Sequence, residues 1–523
     1  MTTLIETVRE IIERVADTSA GNLRGHVVSL PPNPMFGDVS SNLALVLAKH
    51  VSGQPLTLAN DLVEKLKHHA DFARVTVAPP GFLNITLSSA ALARAIAHAV
   101  KPGYGANDRF KSKKARVEFV SANPTGPLHI GNARGGPLGD TIANVLAANG
   151  YKVLREYINN NRGNQIKELG ESLAGQGTQY QGEYLQDLKQ KISEVSDPHQ
   201  AGMKAVEVMF KEIIDDCRAM GVSFDRVVHE SELDEQAGAV LTELDKKGLL
   251  KKKDGATWFA PKDDFLKDKD AVIVKSDGSY LYFTADVVYH KEKFESGYDL
   301  VVDVFGSNTV GHVPKLRALA SIYGFDQHKF KVILYQFVRV KRGQEMVKMS
   351  KRAGTFVTAR EVLEEVGKDA FRFFMLLHDA NTHMDFDLEL AKKQSKDNPV
   401  YYVQYAIARI HSILAKVTRS ERVKSAELRV NDLEFDNPKI RQLVLVLTAY
   451  PDLVADLGAT LEVHRLSHYA MKTASLFHDF YESVPVLKSE GAKREALLGL
   501  CRASMNVLEH CLTLMGVSAP EKM

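Results

Sequence analysis

The spacing of apolar residues changes along the chain and divides it into three parts. The first part opens with apolar side chains at helical spacing, namely Leu4, Val8, Ile11, Ile12 and Val15. Residues 74–88 then alternate apolar and polar side chains around a Pro-Pro-Gly turn, which predicts two strands joined by that turn. Helix and strand signals in this order predict a small α+β domain over residues 1–103.

The second part begins with a strand, a loop, a helix and a strand. Residues 117–120 form a short β-like run, and apolar positions at residues 138–146 recur at helical spacing before Gly150. A second strand-like run follows at residues 151–158. Such an order indicates a βαβ unit and therefore a parallel sheet.

We expect a Rossmann-like α/β domain over residues 104–392, with another buried strand at residues 329–338. Mixed helix and strand patterns at about residues 176–290 predict an insertion in this domain. The Gly-rich, basic segment at residues 101–116 is interpreted as a linker. It is either a solvated hinge or a contact to a nucleic-acid backbone.

The third part, residues 393–523, carries helical patterns only. Asn398 and Pro399 suit a helix cap and a first helical position. Apolar residues then recur at helical spacing, namely Val403, Ala406, Ile407, Ile410, Leu414 and Val417. We therefore predict an α/β protein with a Rossmann-like parallel sheet, an N-terminal α+β domain and a C-terminal all-α helical bundle.

Composition narrows the class of protein without identifying it. Apolar residues make up 45% of the chain and charged residues 25%, which excludes a disordered or low-complexity protein. Lysine and arginine number 67 against 65 acidic residues, so a surface for nucleic acid would have to be a local concentration of charge. The three cysteines form no C-x-x-C pair, so neither a disulfide framework nor a zinc ribbon is expected, and no metal site is predicted.

No targeting or membrane segment is expected. Glu6, Arg9 and Glu10 interrupt any secretory apolar core at the N-terminus. The apolar runs are shorter than the roughly 18 residues that a membrane span needs. We expect a cytoplasmic monomer that contacts no membrane.

The first chemical candidate is PTGPLHIGN at residues 124–132. This loop lies between the first strand and the first helix of the βαβ unit, where backbone N–H groups and the helix N-terminus face an anion. Gly131 leaves no side chain, so a flat base could lie against the backbone. His129 would then donate a hydrogen bond beside a phosphate. The alternative is a structural turn with a surface histidine.

The second candidate is VKMSKRAGTF at residues 347–356. Its cationic side chains could close over a triphosphate and match the charge that grows on a leaving pyrophosphate. Alone, such a charge run is typical of a solvated surface.

Together the two segments resemble the HIGH and KMSK motifs of class I aminoacyl-tRNA synthetases, about 220 residues apart. KMSK is an unbroken match, whereas Asn132 replaces the final histidine of the first motif. The flanking stretches VEFVSANPTGPLHIG, SDGSYLYFTADVVYHKEKF, KDAFRFFML, NPVYYVQYAIARI and LMGVSAPEKM resemble arginyl-tRNA synthetases. The resemblance covers essentially the whole chain.

This resemblance implies ATP-dependent ligation of L-arginine to tRNA(Arg) through arginyl-adenylate, with Mg²⁺ accompanying ATP. It also implies that activation needs bound tRNA. By similarity, the residues fall into four groups. Those assigned to catalysis are His129, Lys348 and Lys351; to ATP, Gly131, Asn132, Met349 and Ser350; to arginine, Glu118, Asn123, Tyr282 and Asp286; and to tRNA, Phe82, Asn84, Tyr401, Tyr405 and Arg409.

The physical chemistry agrees with arginine as substrate, because a guanidinium is a planar fork of donors that carboxylates match. The implied parts are an N-terminal domain at the tRNA elbow, a catalytic domain and a helical anticodon-binding domain. Exposed tyrosines beside an arginine can stack on unpaired bases. The alternative is that these tyrosines line the core of the bundle.

Two stretches depart from the family pattern. Asn161 stands where the family commonly has Asp, and Asn308 and Thr309 replace Asp and His. These changes keep open a catalytically inactive RNA-binding paralogue, although intact His129, Lys348 and Lys351 argue against it. A small-molecule nucleotidylyltransferase is another interpretation, because the loops of such enzymes use a related His-x-Gly-His pattern. A nucleotidylyltransferase would leave the N-terminal domain and the helical tail unexplained.

Overall fold

The computed structural model describes residues 3–16, 23–51, 53–177, 179–192, 195, 197–261, 266, 270–347, 357–420, 430 and 432–523. The N-terminal part has the elements α1 Leu4–Val15, β1 Val28–Ser29, β2 Val39–Ser41, α2 Leu43–Leu47, α3 Pro55–Leu66, β3 Phe72–Ala78, β4 Phe82–Leu87 and α4 Ser89–Ala99. Its antiparallel sheet has the order β1-β2-β4-β3. Thr3 and Glu6 form a capping box that fixes the start of α1. The predicted α+β fold is confirmed.

The middle part contains the elements β5 Lys114–Phe119, α5 Ile130–Ala133, α6 Gly135–Ala148, β6 Lys152–Asn159, α7 Asn164–Leu173, α8 Tyr184–Lys191, α9 Pro198–Ala219, β7 Arg226–His229, α10 Asp234–Lys246, β8 Leu250–Lys253, β9 Ala256–Phe259, β10 Ala271–Val274, α11 Tyr282–Glu295, β11 Leu300–Gly306, α12 Val313–Ile322, β12 Phe330–Tyr335, β13 Val338–Arg342, β14 Glu345–Met346, α13 Ala359–Met375, β15 Met384–Asp387 and α14 Leu388–Lys392.

The core of this part is a five-stranded parallel sheet in the order β12-β11-β5-β6-β7. This order confirms the predicted Rossmann-like fold. Helix α6 packs closely on β5, since a Cβ at Gly139 would lie 2.2 Å from the Phe119 ring. Within the predicted insertion, β7 pairs with β6, so a core strand separates the helices α8 and α9 from the small sheet β10-β9-β8.

The predicted linker differs in part from a solvated hinge. Strand β5 already begins at Lys114, and Arg116 is fully buried in an ion pair with Glu156. Earlier in the segment, the Tyr104 hydroxyl donates to the Leu447 carbonyl at 3.1 Å. Most of the segment is exposed, as the solvated-linker interpretation expects, but Tyr104 attaches it to the third part of the chain.

The C-terminal part consists of α15 Pro399–Ser420, α16 Pro438–Thr448, α17 Tyr450–Thr460, α18 His464–Ser483 and α19 Gly491–Leu514. The predicted helical bundle is confirmed, and the Asn398 side chain accepts from the Val400 N–H at 3.2 Å. The stretch Pro438–Thr460 is long and apolar enough to cross a membrane, but 67% of its most apolar window is buried inside the protein. Core helices commonly have this property, and the stretch is divided between α16 and α17.

A buried ion pair joins the first and third parts. Arg441 on α16 donates to both carboxylate oxygens of Asp38 at 2.8 and 2.5 Å. The same arginine donates to the Leu87 carbonyl at 2.7 Å. A bidentate pair of this kind fixes the orientation of the two parts as well as their contact.

Candidate active site

The site lies at the carboxyl ends of β5 and β11. These neighbouring parallel strands lie where the strand order reverses, and ligands of such sheets bind in the crevice outside this switch point. The loop after β5 carries PTGPLHIGN, and the loop after β11 carries GSNTVGH. Both loops therefore border one crevice.

The chain leaves β5 through two residues in left-handed conformations. Val120 has φ 69° and Ser121 has φ 38°, which is rare for residues other than glycine. The Ser121 hydroxyl donates to Glu118 Oε1 at 3.0 Å and accepts from the Ile158 N–H at 3.2 Å. Such strain persists where surrounding contacts hold it, commonly at functional sites.

His129 is the N-cap of α5. Its Nδ1 accepts the Gly131 N–H at 2.9 Å, which requires the proton of the neutral ring to be on Nε2. A Cβ at Gly131 would lie 3.0 Å from this Nδ1, so glycine lets the ring fold against the backbone. Asn132 is exposed, and its carbonyl accepts from the Tyr335 hydroxyl at 3.3 Å. This loop can present an imidazole N–H donor to an anion.

The backbone of the first motif pairs with the residues that directly follow the second motif. The Ile130 N–H donates to the Val357 carbonyl at 3.0 Å, and the Ala359 N–H donates to the Leu128 carbonyl at 2.8 Å. At the other end of the second motif, the Val347 N–H donates to the Val340 carbonyl at 2.9 Å. The predicted residues Lys348, Met349, Ser350 and Lys351 lie outside the described residues. Residues 357–359, which follow the second motif, therefore lie beside the first motif.

Glu118 is buried beneath the crevice. Its Oε2 accepts from Lys293 Nζ, and the same ammonium donates to Asp303 at 2.7 Å. His290 Nε2 lies 3.1 Å from the other oxygen of Asp303. Potential ligand atoms of Glu118, His290 and Asp303 lie within 4.8 Å of one another, but Lys293 already supplies a cation to both carboxylates.

The pKa values in this cluster move in opposite directions. Burial raises the pKa of Glu118, although the charge of Lys293 partly opposes the shift. Burial also acts on Asp303, but Lys293 and the His290 hydrogen bond outweigh it and lower its pKa to about 2. Asp303 is therefore the ionised anchor of Lys293, and a direct contact of Glu118 with arginine stays a prediction.

The carboxylates of Asp286 and Glu230 lie close enough to interact electrostatically near the carboxyl end of β7. Asp286 lies one turn after Tyr282 on α11 and 3.5 Å from His312 Nδ1. Glu230 directly follows β7 and is 7% exposed. Burial raises the pKa of Glu230 to about 7, with Arg162 opposing the shift and Asp286 adding to it.

Sequence reasoning missed Glu230. Among the described residues its carboxylate has no hydrogen-bond or ion-pair partner, which makes it a candidate for binding a cationic ligand. Its place after a strand was visible in the sequence, but only the pairing of β7 with β6 places it at the site.

Two of the three residues that depart from the family pattern have structural roles. Asn161 exchanges two hydrogen bonds with Ser231, donating to its hydroxyl and accepting from its N–H, both at 3.0 Å. An aspartate could not donate the first bond. Thr309 donates to the Gly306 carbonyl at 2.8 Å, and Asn308 lies beside Gly306. The predicted ligand Asn123 is exposed and accepts from the Asn160 amide at 2.8 Å.

The predicted tRNA residues of the bundle form one surface cluster. The Tyr401 and Tyr405 rings stack with centroids 6.3 Å apart, and Tyr405 is 38% exposed. The Arg409 guanidinium lies 4.7 Å from the Tyr405 ring centroid and donates to its hydroxyl at 2.8 Å. These rings are therefore at the surface rather than in the bundle core, and they can offer stacking faces.

The predicted pair in the N-terminal domain divides between surface and interior. Phe82 is 38% exposed, whereas Asn84 is 8% exposed and accepts from the Ser40 hydroxyl at 3.2 Å. The side chain of Asn84 is therefore held inside the sheet, so Phe82 is the more accessible of the two.

Known proteins match this architecture in all three parts. Residues 2–87 match the arginyl tRNA synthetase N terminal domain, residues 199–395 the catalytic domain of class I (R) tRNA synthetases, and residues 403–523 the DALR anticodon binding domain. An arginine–tRNA ligase of Moorella thermoacetica is 38% identical over 99% of both chains. The chain belongs to the arginyl-tRNA synthetase family. A relative from Syntrophotalea carbinolica, also an arginine–tRNA ligase, is 38% identical over 95% of this chain and 94% of its own.

Solved structures of arginyl-tRNA synthetases share this fold. The Thermus thermophilus protein superposes with a TM-score of 0.82 at 21% identity, covering 99% of this chain and 100% of that one. The Plasmodium falciparum protein gives 0.75 at 18% identity and covers both chains fully. The fold shared with these proteins therefore extends across the whole chain.

Proposed function

We propose that the protein joins L-arginine to tRNA(Arg) for translation, in two steps at one site. A carboxylate oxygen of arginine attacks the α-phosphorus of ATP, the bond to the β-phosphate oxygen breaks, and pyrophosphate leaves. A terminal ribose hydroxyl of tRNA then attacks the arginyl carbonyl carbon, and AMP leaves. The observation that carries this proposal is the backbone hydrogen bond from Ile130, in the first motif, to Val357, the residue that directly follows the second motif.

We assign His129, Lys348 and Lys351 to stabilising the negative charge on the phosphates of ATP. The Nε2–H of His129 is a donor because Nδ1 accepts from Gly131. The two lysines would balance the negative charge that grows on pyrophosphate. Neither step forms a covalent enzyme intermediate, so the rate comes from positioning and from this charge stabilisation.

ATP is assigned to Gly131, Asn132, Met349 and Ser350. Mg²⁺ accompanies ATP, held mostly by phosphate oxygens and water, since it prefers oxygen ligands and keeps several waters. The His129 loop supplies nitrogen donors, which suit phosphate oxygens rather than this hard cation.

Arginine is assigned to Glu118, Asn123, Tyr282 and Asp286, and we add Glu230. The carboxylates of Glu230 and Asp286 suit the guanidinium because a planar fork of donors pairs with charged oxygens. Asn123, at the end of the loop from β5, would serve the polar end of the substrate.

The variant Glu118→Gln tests whether Glu118 contacts arginine directly or only pairs with Lys293. We expect the KM for arginine to rise far more than the KM for ATP, because the variant loses a negative charge beneath the substrate. Asp303→Asn is the matched control, since Asp303 shares Lys293 with Glu118. Steady-state kinetics that gave both variants the same change in both KM values would assign Glu118 a structural role only.

Glu230 should make arginine binding depend on pH. Its pKa of about 7 means that the carboxylate is neutralised as the pH falls through neutrality, and a neutral group cannot pair with guanidinium. One-proton linkage predicts that the KM for arginine rises about eightfold from pH 7.5 to 6.0. Glu230→Gln should raise this KM at pH 7.5 and flatten the profile.

The control for this profile is Glu232→Gln, an exposed glutamate in the same short helical turn. It should keep the parent profile. A parent profile without pH dependence, or one that Glu230→Gln left intact, would remove Glu230 from the arginine site.

tRNA is assigned to two surfaces. Tyr401, Tyr405 and Arg409 would receive unpaired anticodon bases, and Phe82 with Asn84 would lie at the tRNA elbow. These surfaces belong to the first and last of three proposed domains: an N-terminal domain over residues 1–103, a catalytic domain over residues 104–392 and an anticodon-binding domain over residues 393–523. We further propose that the protein is a cytoplasmic monomer without a membrane partner, and that activation requires tRNA.

The most informative experiment is aminoacylation of total tRNA with each amino acid in turn. We expect charging with arginine alone. Adenylylation of a small molecule without tRNA would favour a nucleotidylyltransferase, and tRNA binding without charging would favour an inactive paralogue. Arginine-dependent pyrophosphate exchange at full rate without tRNA would contradict the tRNA requirement.

A further inference from the structure

Helix α18 extends from the proposed anticodon surface toward the catalytic domain. Near its C-terminal end, His478 Nδ1 lies 3.2 Å from Arg409 Nη1. The Arg409 guanidinium also lies 5.7 Å from the Tyr481 ring centroid. The helix has 20 residues and so spans about 30 Å. One rigid element therefore contacts the anticodon surface at one end.

The N-terminal end of α18 contacts residues 376–382, which follow α13 and which we call the linking segment. The Ser467 hydroxyl lies 3.0 Å from the Leu376 carbonyl and 2.7 Å from the His464 carbonyl of its own helix, so it shares one hydrogen between them, and His468 Nε2 lies 2.8 Å from the Leu377 carbonyl. Because a carbonyl only accepts, His468 Nε2 donates in that contact. The start of the linking segment is thus held to the anticodon-binding domain by the His468 hydrogen bond and by the shared hydrogen of Ser467.

Arg134 holds the linking segment from the catalytic side. Its guanidinium donates to four backbone carbonyls, those of Gln336 at 3.0 Å, His378 at 3.4 Å, Asp379 at 2.9 Å and Thr382 at 2.9 Å. The residue is 1% exposed, and burial lowers its pKa to about 10, opposed by the charge of Asp379. A rigid fork of five donors can bind this set of carbonyls, which a single lysine ammonium cannot reproduce.

Arg134 lies two residues after residues 129–132, which we call the HIGN loop. It connects α5, which His129 caps, to α6, which packs on the central sheet. Gln336 stands between Tyr335, which donates to the Asn132 carbonyl, and Phe337, whose ring lies beside Gly131. One guanidinium therefore holds the end of the HIGN loop against two parts of the chain, the backbone around Gln336 and the linking segment.

We propose that Arg134 is a positioning residue for arginine activation, and that the linking segment makes the position of His129 depend on α18 and hence on RNA at the anticodon surface. This inference rests on the proposed function, because it needs tRNA as the ligand of Tyr405 and Arg409. Displacing a catalytic group by about 1 Å can cost 10²-fold in rate, so a small shift of the linking segment would suffice. The route consists of the His468 bond to Leu377, the adjacent backbone, and the Arg134 bonds to the linking segment.

The first test is His468→Ala. His468 is exposed, so the variant should fold, and it loses one of the two α18 bonds to the linking segment. Arginine-dependent pyrophosphate exchange is measured at saturating tRNA(Arg). We expect kcat to fall about tenfold, with the KM values for ATP and arginine and the Kd for tRNA within twofold of the parent. Lys472→Ala, exposed one turn further along α18, is the matched control and should behave as the parent.

The second test is a double-mutant cycle between the two ends of α18. Arg409→Ala should lower kcat at saturating tRNA in the parent but have little further effect in His468→Ala. Multiplicative effects would show that the two ends act independently and would overturn the inference.

Arg134→Lys tests the catalytic side of the same network. We expect kcat to fall about 10²-fold with unchanged tRNA Kd and a cooperative thermal transition. If this variant does not fold, His468→Ala and the cycle still decide the matter. A parent protein without arginine-dependent exchange would refute the proposed function, whereas an active parent with His468→Ala unchanged would refute this inference alone.

Discussion

His129→Ala should lower the kcat of arginine activation by about 10²- to 10³-fold, the usual cost of losing one preorganised donor to a transition-state oxyanion. The physical reason is the Nε2–H, which the Nδ1 contact with Gly131 fixes as a donor. The KM for arginine should change little, because we assign the imidazole to phosphate rather than to the amino acid. Pre-steady-state pyrophosphate release measures the step directly.

The control for this variant is His411→Ala, which removes a histidine that pairs with Glu509 on the helical bundle. It should retain the parent rate. A His129→Ala enzyme with an unchanged rate of pyrophosphate release would show that the imidazole does not contact the reacting phosphates.

Lys351→Ala should lower turnover by roughly 10²-fold or more, since an ammonium that meets growing charge on pyrophosphate acts mainly in the transition state. That factor corresponds to about 2.7 kcal/mol of transition-state stabilisation. ATP binding in the ground state should weaken much less. Rapid-quench measurement of arginyl-adenylate formation at saturating ATP separates these two effects.

Arg339→Ala is a suitable control, because Arg339 is an exposed cation on β13 that pairs with Asp385. Its loss should leave adenylate formation unchanged. A similar small effect in Arg339→Ala and Lys351→Ala would exclude Lys351 from the chemical step.

The fold was largely predictable because its elements are local in the sequence. The run at residues 117–120 and the helical spacing at residues 138–146 placed the central βαβ unit in the right order. The end of the first strand was less predictable. Val120 leaves β5 with a positive φ, a conformation that β-branched residues rarely adopt and that contacts from Glu118 and Ile158 to Ser121 hold in place.

The candidate site was predictable only where motif residues lie close in the chain. The Lys293 contact of Glu118 spans 175 residues, so no local pattern indicates that this carboxylate is paired. Glu230 reaches the site through the pairing of β7 with β6, which no local pattern specifies. Arg134 was missed for the same reason, since its carbonyl partners lie more than 200 residues away.

The most direct test of the account is a crystal structure of the protein with arginine and a non-hydrolysable ATP analogue. We predict that His129 Nε2 and Lys351 Nζ both lie within hydrogen-bond distance, about 3 Å, of oxygens of the same triphosphate. A triphosphate bound away from the His129 loop, or a Lys351 amine that stays on another face of the protein, would contradict the account.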